Sequence, residues 1–164
     1  MNSTRTKKYS PYFKRPKKEK ELPLLDDKGV PDFLDYDLKV LFVGINPGLT
    51  SGAKGHHYAG PTNHFWPSLS ESGLVDQKLN FEDDVDLPKR YRLGLTNLSA
   101  RTTRKMTDLS LAEQREGIPI LNGKIQEYRP RCSELGLQAD TSLKWSNGKG
   151  ETVIFVMPST SGLN

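Results

Sequence analysis

The sequence predicts an α/β fold with a mostly parallel central sheet, and three observations carry that expectation. A short apolar run at Lys39–Val43 stops at Asn46-Pro47-Gly48, the pattern of a fully buried strand that ends in a turn. Tyr91–Leu98 alternates weakly and Thr152–Met157 is again rich in β-branched and apolar residues; both run into short polar text. Between them Ser110-Leu-Ala-Glu113 forms a capping box that opens a helix. Strands separated by helical segments are joined as crossovers, which place the strands parallel.

At 164 residues the chain is expected to form one domain, preceded by a tail. Residues 1–22 contain eight Lys and Arg against Glu19 and Glu21, a net charge of +6. The whole chain carries 24 basic and 20 acidic side chains, so residues 23–164 hold 16 against 18 and are slightly acidic. The basic character therefore belongs to the arm. Residues 1–22 are expected to be a disordered basic arm, suited to phosphate contact or nuclear import, and residues 23–164 the folded domain.

Pro23 to Asp37 leads in through turn signals at Asp26-Asp27-Lys28-Gly29 and Pro31-Asp32. Asn63 is expected to cap a helix running through Phe65, Trp66 and Leu69 toward Gly73, with Pro67 in its first turn, where a missing N–H costs little. The helix begun at Ser110 is expected to be interrupted at Gly117 and Pro119, then to resume through Leu121, Ile125 and Tyr128 to Pro130. Residues 131–150 are atypical. A βαβ fold needs another buried strand there, yet the text has no β-branched apolar run, and a link of this length without structure counts against a complete fold.

Several chemistries are excluded. Cys132 stands alone, so no disulfide within the chain and no Cys-based metal cluster is expected. His56, His57 and His64 lie close together, but no carboxylate or Cys completes a ligand spacing, and neither metal nor cofactor is expected. Gly48–Gly55 lacks the Gly-Lys-Ser/Thr ending of a phosphate loop. No nucleophile elbow occurs. No run approaches a membrane span and the charged start has no apolar signal region, so a soluble, intracellular protein with no membrane partner is expected. What remains is three strand ends that close in short polar residues: Asn46-Pro-Gly, Thr96-Asn97 and Pro158–Leu163. Each alone is an ordinary turn. In a parallel sheet they converge on the edge where ligands bind.

Taken together, Asp35–Leu49, Lys54-Gly-His-His-Tyr-Ala-Gly-Pro-Thr-Asn-His-Phe-Trp66, Gly94-Leu-Thr-Asn-Leu98, Arg101-Thr-Thr103 and Met157-Pro-Ser-Thr-Ser-Gly-Leu163 resemble the thymine-DNA and mismatch-specific uracil-DNA glycosylase family. The resemblance covers residues 35–131 and 151–163. It implies a three-layer α/β/α sandwich and a monofunctional enzyme that removes uracil or thymine from G·U or G·T mispairs in duplex DNA, upstream of other repair proteins and in the nucleus. By the same resemblance Asn46 holds the attacking water. The Ile45 and Asn46 backbone N–H groups stabilise the departing base, Tyr58 stacks on it, and His57 and Asn97 line its pocket. Ser159 and Ser161 contact phosphate, while Gly162 and Leu163 enter the stack as a wedge.

The chain also departs from the family. After Tyr128-Arg-Pro-Arg131 the expected central strand and helix are missing, Pro119 falls within a helix that the family keeps continuous, and the text stops just after the wedge. Two further readings therefore stand beside an active glycosylase: a catalytically inactive truncated paralogue or isoform that binds DNA nonspecifically through its arm, and a product that does not fold.

Overall fold

The computed structural model describes residues 29–134, 141–155 and 160–161. The expectation for residues 1–22 lies outside them. The first strand, β1, spans Val40–Gly44, one residue further along than the sequence suggested, and is followed by a short helix α1, Leu49–Lys54. Helix α2 covers Phe65–Glu71. His64 occupies its cap position, but Asn63 still does the expected work, its Oδ1 accepting the Phe65 N–H at 2.9 Å. A 3-10 segment at Phe81–Asp86 leads into α3, Leu87–Tyr91. Arg92 then turns the chain in the left-handed region (φ 60°), so β2 begins only at Leu93 and runs to Asn97.

Helix α4 spans Leu111–Tyr128 without a break, and its Ser110–Glu113 capping box forms as expected. The expected interruption at Gly117 and Pro119 does not occur. Proline in a helix interior costs roughly 3 kcal/mol through a lost hydrogen bond and a clash with the preceding turn. Pro119 lies on the exposed side, while Leu121 and Ile125 anchor the opposite side in the core. Gly117 is a contact rather than a break. A Cβ there would lie 2.0 Å from the Leu98 carbonyl oxygen, so glycine alone lets α4 approach the end of β2.

The sheet has the order β2-β1-β3-β5-β4, where β3 is Cys132–Glu134, β4 Thr141–Lys144 and β5 Glu151–Phe155. All neighbours are parallel except β4 and β5. A mostly parallel sheet with helices on both sides bears out the α/β/α expectation. The place between β1 and β5 is filled, contrary to the reading of residues 131–150 as structureless, with three residues of β3 among those described. Backbone pairing needs no apolar side chains, and the N–H and C=O groups of β1 and β5 require partners whatever the text. The strand β5 is described over Glu151–Phe155, and the last two residues of its expected span, Val156 and Met157, lie outside the described residues.

Strand alternation sorts the layers. Val40, Phe42, Leu93 and Leu95 face one side and pack with Phe65, Trp66, Leu69 and Leu87 from α2 and α3. Leu41 and Val43 face the other side and pack with Leu121 and Ile125 of α4. The β4–β5 hairpin closes through Trp145. Its ring lies against Gly150, and its indole N–H donates to Thr152 Oγ1 at 2.9 Å, while that hydroxyl donates to the Pro130 carbonyl at 2.6 Å.

Candidate active site

The register of β1 and β2 places Gly44 opposite Asn97, on the face that carries Phe42 and Phe65. A Cβ on Gly44 would lie 2.4 Å from Asn97 Oδ1 and 3.6 Å from the Tyr58 hydroxyl. The absent side chain thus leaves room for two polar groups to meet over the strand end. The Tyr58 ring stacks on Phe65, with centroids 4.0 Å apart and planes 16° from parallel. Tyr58 and Asn97, two of the expected base-binding residues, are therefore brought together.

Two residues beyond Gly44, Asn46 is half-buried and held by its amide nitrogen. Nδ2 donates to Thr103 Oγ1 at 2.7 Å, to the Arg101 carbonyl at 2.9 Å and to the Pro47 carbonyl at 3.2 Å. The Thr103 hydroxyl donates in turn to the Lys105 carbonyl at 2.7 Å, so its lone pairs face Asn46. With the NH₂ committed to acceptors, the amide oxygen is the end left to receive a hydrogen bond, and its orientation is set. The loop carrying Arg101 and Thr103 is itself anchored. Thr103 N–H donates to the Pro47 carbonyl at 3.0 Å, and the Arg101 guanidinium engages Glu113 and the Asp108 carbonyl. Ile45 sits between, exposed, with its carbonyl accepting the Ser99 N–H at 2.9 Å.

His57 is 2% exposed. Its Nε2 lies 2.9 Å from the Pro31 carbonyl, its ring meets Phe33 edge-on, and it stands 6.1 Å from the Tyr58 ring. Burial pushes its pKa below the ordinary value, outweighing the Pro31 bond and the nearby Asp84 and Asp32 carboxylates. A neutral ring bonded to a carbonyl through Nε2 carries its proton there. His57 thus braces the wall behind Tyr58.

Of the expected wedge, Ser161 is described and exposed, while Ser159, Gly162 and Leu163 lie outside the described residues. The neighbouring Thr160 carbonyl accepts the His64 N–H at 2.9 Å, which ties this segment to the start of α2, next to Phe65. Among the described residues no group of three or more His, Cys, Asp or Glu gathers as a metal site, and no helix is long and apolar enough to cross a membrane.

Sequence reasoning missed three supports. Thr103 belongs to the Arg101-Thr-Thr103 motif, whose text gives it no role of its own. Ser51 Oγ accepts the Ala59 N–H, and Asp84 accepts the His57 N–H. Thr103 and Asp84 carry no local signal, because each acts on a segment distant in the chain, and Ser51 reaches across the α1–Tyr58 turn, where no motif marks it.

A family model described as the uracil DNA glycosylase superfamily matches residues 31–164. The chain is 40% identical over 117 residues to a G/U mismatch-specific uracil DNA glycosylase of Schizosaccharomyces pombe. That alignment covers 70% of this chain and 36% of the relative, so the chain spans about a third of the length of the curated relative it matches.

Proposed function

The chain belongs to the uracil DNA glycosylase superfamily, and from that premise we propose that it hydrolyses the N-glycosidic bond of uracil, and of thymine, in G·U and G·T mispairs. The observation that carries this reading is the fixed orientation of Asn46, two residues beyond the strand end over which Tyr58 and Asn97 meet. An amide is no base. Its oxygen receives a hydrogen bond from one water and aims that water at C1′. As the water oxygen bonds to C1′, the C1′–N1 bond breaks and its electron pair leaves with the pyrimidine. The water's second proton passes to solvent, and the base anion is protonated after departure. Preorganised N–H groups of Ile45 and Asn46 and the Asn97 side chain stabilise the leaving charge. Tyr58 takes the flipped base on its ring, a contact worth roughly 1–3 kcal/mol, with His57 behind it. Such leaving-group chemistry favours uracil and thymine over cytosine, whose anion is poorer.

The target bond is shielded in a stacked duplex, so the nucleotide must be extruded. Ser159 and Ser161 on phosphate, and Gly162 with Leu163 in the vacated space, are the groups assigned to that step. The basic arm at residues 1–22 adds nonspecific phosphate contact and suits a nuclear protein that hands its product to downstream repair proteins.

The test is a labelled G·U duplex incubated with the protein and then cleaved at abasic sites with alkali. Strand scission is expected, reduced at least ~10²-fold in Asn46→Ala, the scale set by misplacing a reactant by about an ångström. Scission no greater than in that variant would overturn the reading. The exposure of Val153 on β5 favours a second reading, an inactive remnant that binds DNA through its arm. In that case duplex binding is salt-sensitive and disappears when residues 1–22 are deleted; binding unaffected by the deletion counts against it.

A further inference from the structure

Tyr58 is one of four described non-glycine residues with positive φ, at 52°. An L-residue in this region carries roughly 1–2 kcal/mol of strain and persists only where its surroundings over-determine it. The residue before it supplies that restraint. The His57 N–H donates to Asp84 Oδ2 at 2.8 Å, its carbonyl accepts the Trp66 indole N–H at 3.1 Å, and its ring is fixed by Pro31. On the far side, the Ala59 N–H donates to Ser51 Oγ at 3.0 Å.

Asp84 is the unusual member. It lies in the 3-10 segment, is fully buried, and comes from a different part of the chain. Its other oxygen is 2.9 Å from His56 Nδ1, so both oxygens are spent on consecutive residues of one turn. The 3-10 segment is itself fastened by a reciprocal cap, in which the Asn80 side chain accepts the Glu82 N–H and the Asp83 carboxylate accepts the Asn80 N–H. A carboxylate is costly to bury. Here both of its bonds go to the turn that presents the stacking ring.

We propose that Asp84 is a positioning residue for Tyr58: it holds the His56–Ala59 turn so that the ring stands over the strand end, ready to receive the extruded base. The proposal rests on the reading of Tyr58 as the stacking residue. Asp84 touches no reacting atom; it acts through the backbone of the residue before Tyr58.

The test measures affinity for a G·U duplex carrying a 2′-fluoro-deoxyuridine, whose electron-withdrawing substituent blocks cleavage, as a ratio to affinity for the matched duplex. A general loss of structure lowers both affinities, whereas loss of base stacking lowers the ratio. Tyr58→Ala and Asp84→Ala are each expected to lower the ratio about tenfold, the scale of one lost buried hydrogen bond or stack. Asp84→Ala added to Tyr58→Ala is expected to lower it no further, because both changes remove one interaction. Asp84→Asn is expected to fall between the wild type and Asp84→Ala. Its oxygen still accepts the His57 N–H, and its NH₂ can donate to the other His56 tautomer.

If Tyr58→Ala leaves the ratio intact, the stacking reading fails and the proposal falls with it. If Tyr58→Ala lowers the ratio while Asp84→Ala does not, or while their losses multiply, the proposal alone is overturned. Should Asp84→Ala give no cooperative melt, Asp84→Asn decides the matter with amide exchange. Faster exchange at His57 with a lowered ratio supports the role, and faster exchange with an unchanged ratio overturns it.

Discussion

Along one register row of the sheet, Leu93 of β2 is fully buried and Val40 of β1 packs on the core, while Cys132 of β3 is half-buried and Val153 of β5 is 38% exposed. All four stand on one face. The difference follows from what the chain places between the strands. Residues 49–91 supply three helices and a 3-10 segment between β1 and β2, and these cover that face. Among the described residues no helix follows β3. The opposite face is covered by α4, which reaches both halves: Gln126 accepts the Ser146 N–H at 2.7 Å and donates to the Lys144 carbonyl at 3.0 Å. The candidate site hangs from the covered half. Asn46, Tyr58 and Asn97 owe their positions to β1, β2 and the segments packed on them, and among the described residues beyond β5, Thr160 meets the start of α2. Orientation of the candidate site groups and completeness of the sheet are thus separable properties in this molecule.

Four measurements break or sharpen that contrast. The largest effect is expected from Leu93→Ala, which empties a fully buried position on β2 in that same row and should cost roughly 2–5 kcal/mol in denaturant unfolding. Its counterpart Val153→Lys should stay within about 0.5 kcal/mol; an equal loss at Val153 would show that the outer half is covered after all. Thr152→Val comes next. It removes the hydroxyl shared by the Pro130 carbonyl and the Trp145 indole and should cost about 1–3 kcal/mol, with a shift in tryptophan emission.

Acidification reports on the covered half. Burial lowers the His57 pKa below its ordinary 6.5, so the unfolded chain takes up the proton first. Its contribution to stability is complete above about pH 6.5 and falls away as the pH drops further, a sign that melts between pH 7 and 5 should show and His57→Gln should remove. The smallest effect belongs to Glu113. The Arg101 guanidinium, then the Ser110 backbone and side chain, hold its pKa at about 2 against an ordinary 4.5. Its contribution is present above pH 4.5 and lost as the pH falls toward 2. A carboxylate titration should move back toward the ordinary value in Arg101→Ala. No movement would break the assigned pairing.

Much of this was legible in the residues. The apolar run at Lys39–Val43 announced its strand because a buried parallel strand has no polar face to interrupt it, and Ser110–Glu113 announced its helix because a capping box is a local device. Asn46, Tyr58 and Asn97 were nameable from motif text. Pro119 misled because a lone breaker is overridden when the rest of a helix is anchored by Leu121 and Ile125. Residues 131–150 mislead because their side chains give no strand signal, whereas β3 pairs through its backbone with β1 and β5.

By itself, then, the sequence determined the elements whose causes are local: periodicity, caps, turns and the order of polar strand ends. Only the tertiary structure decided which groups would hold them. That Thr103 turns the Asn46 amide, that Gly44 leaves room for Asn97 and Tyr58, and that Asp84 grips the turn before Tyr58 all depend on register and on contacts spanning 14 residues or more. Such contacts leave no local trace, because the partners become neighbours only when the sheet pairs and its faces are covered.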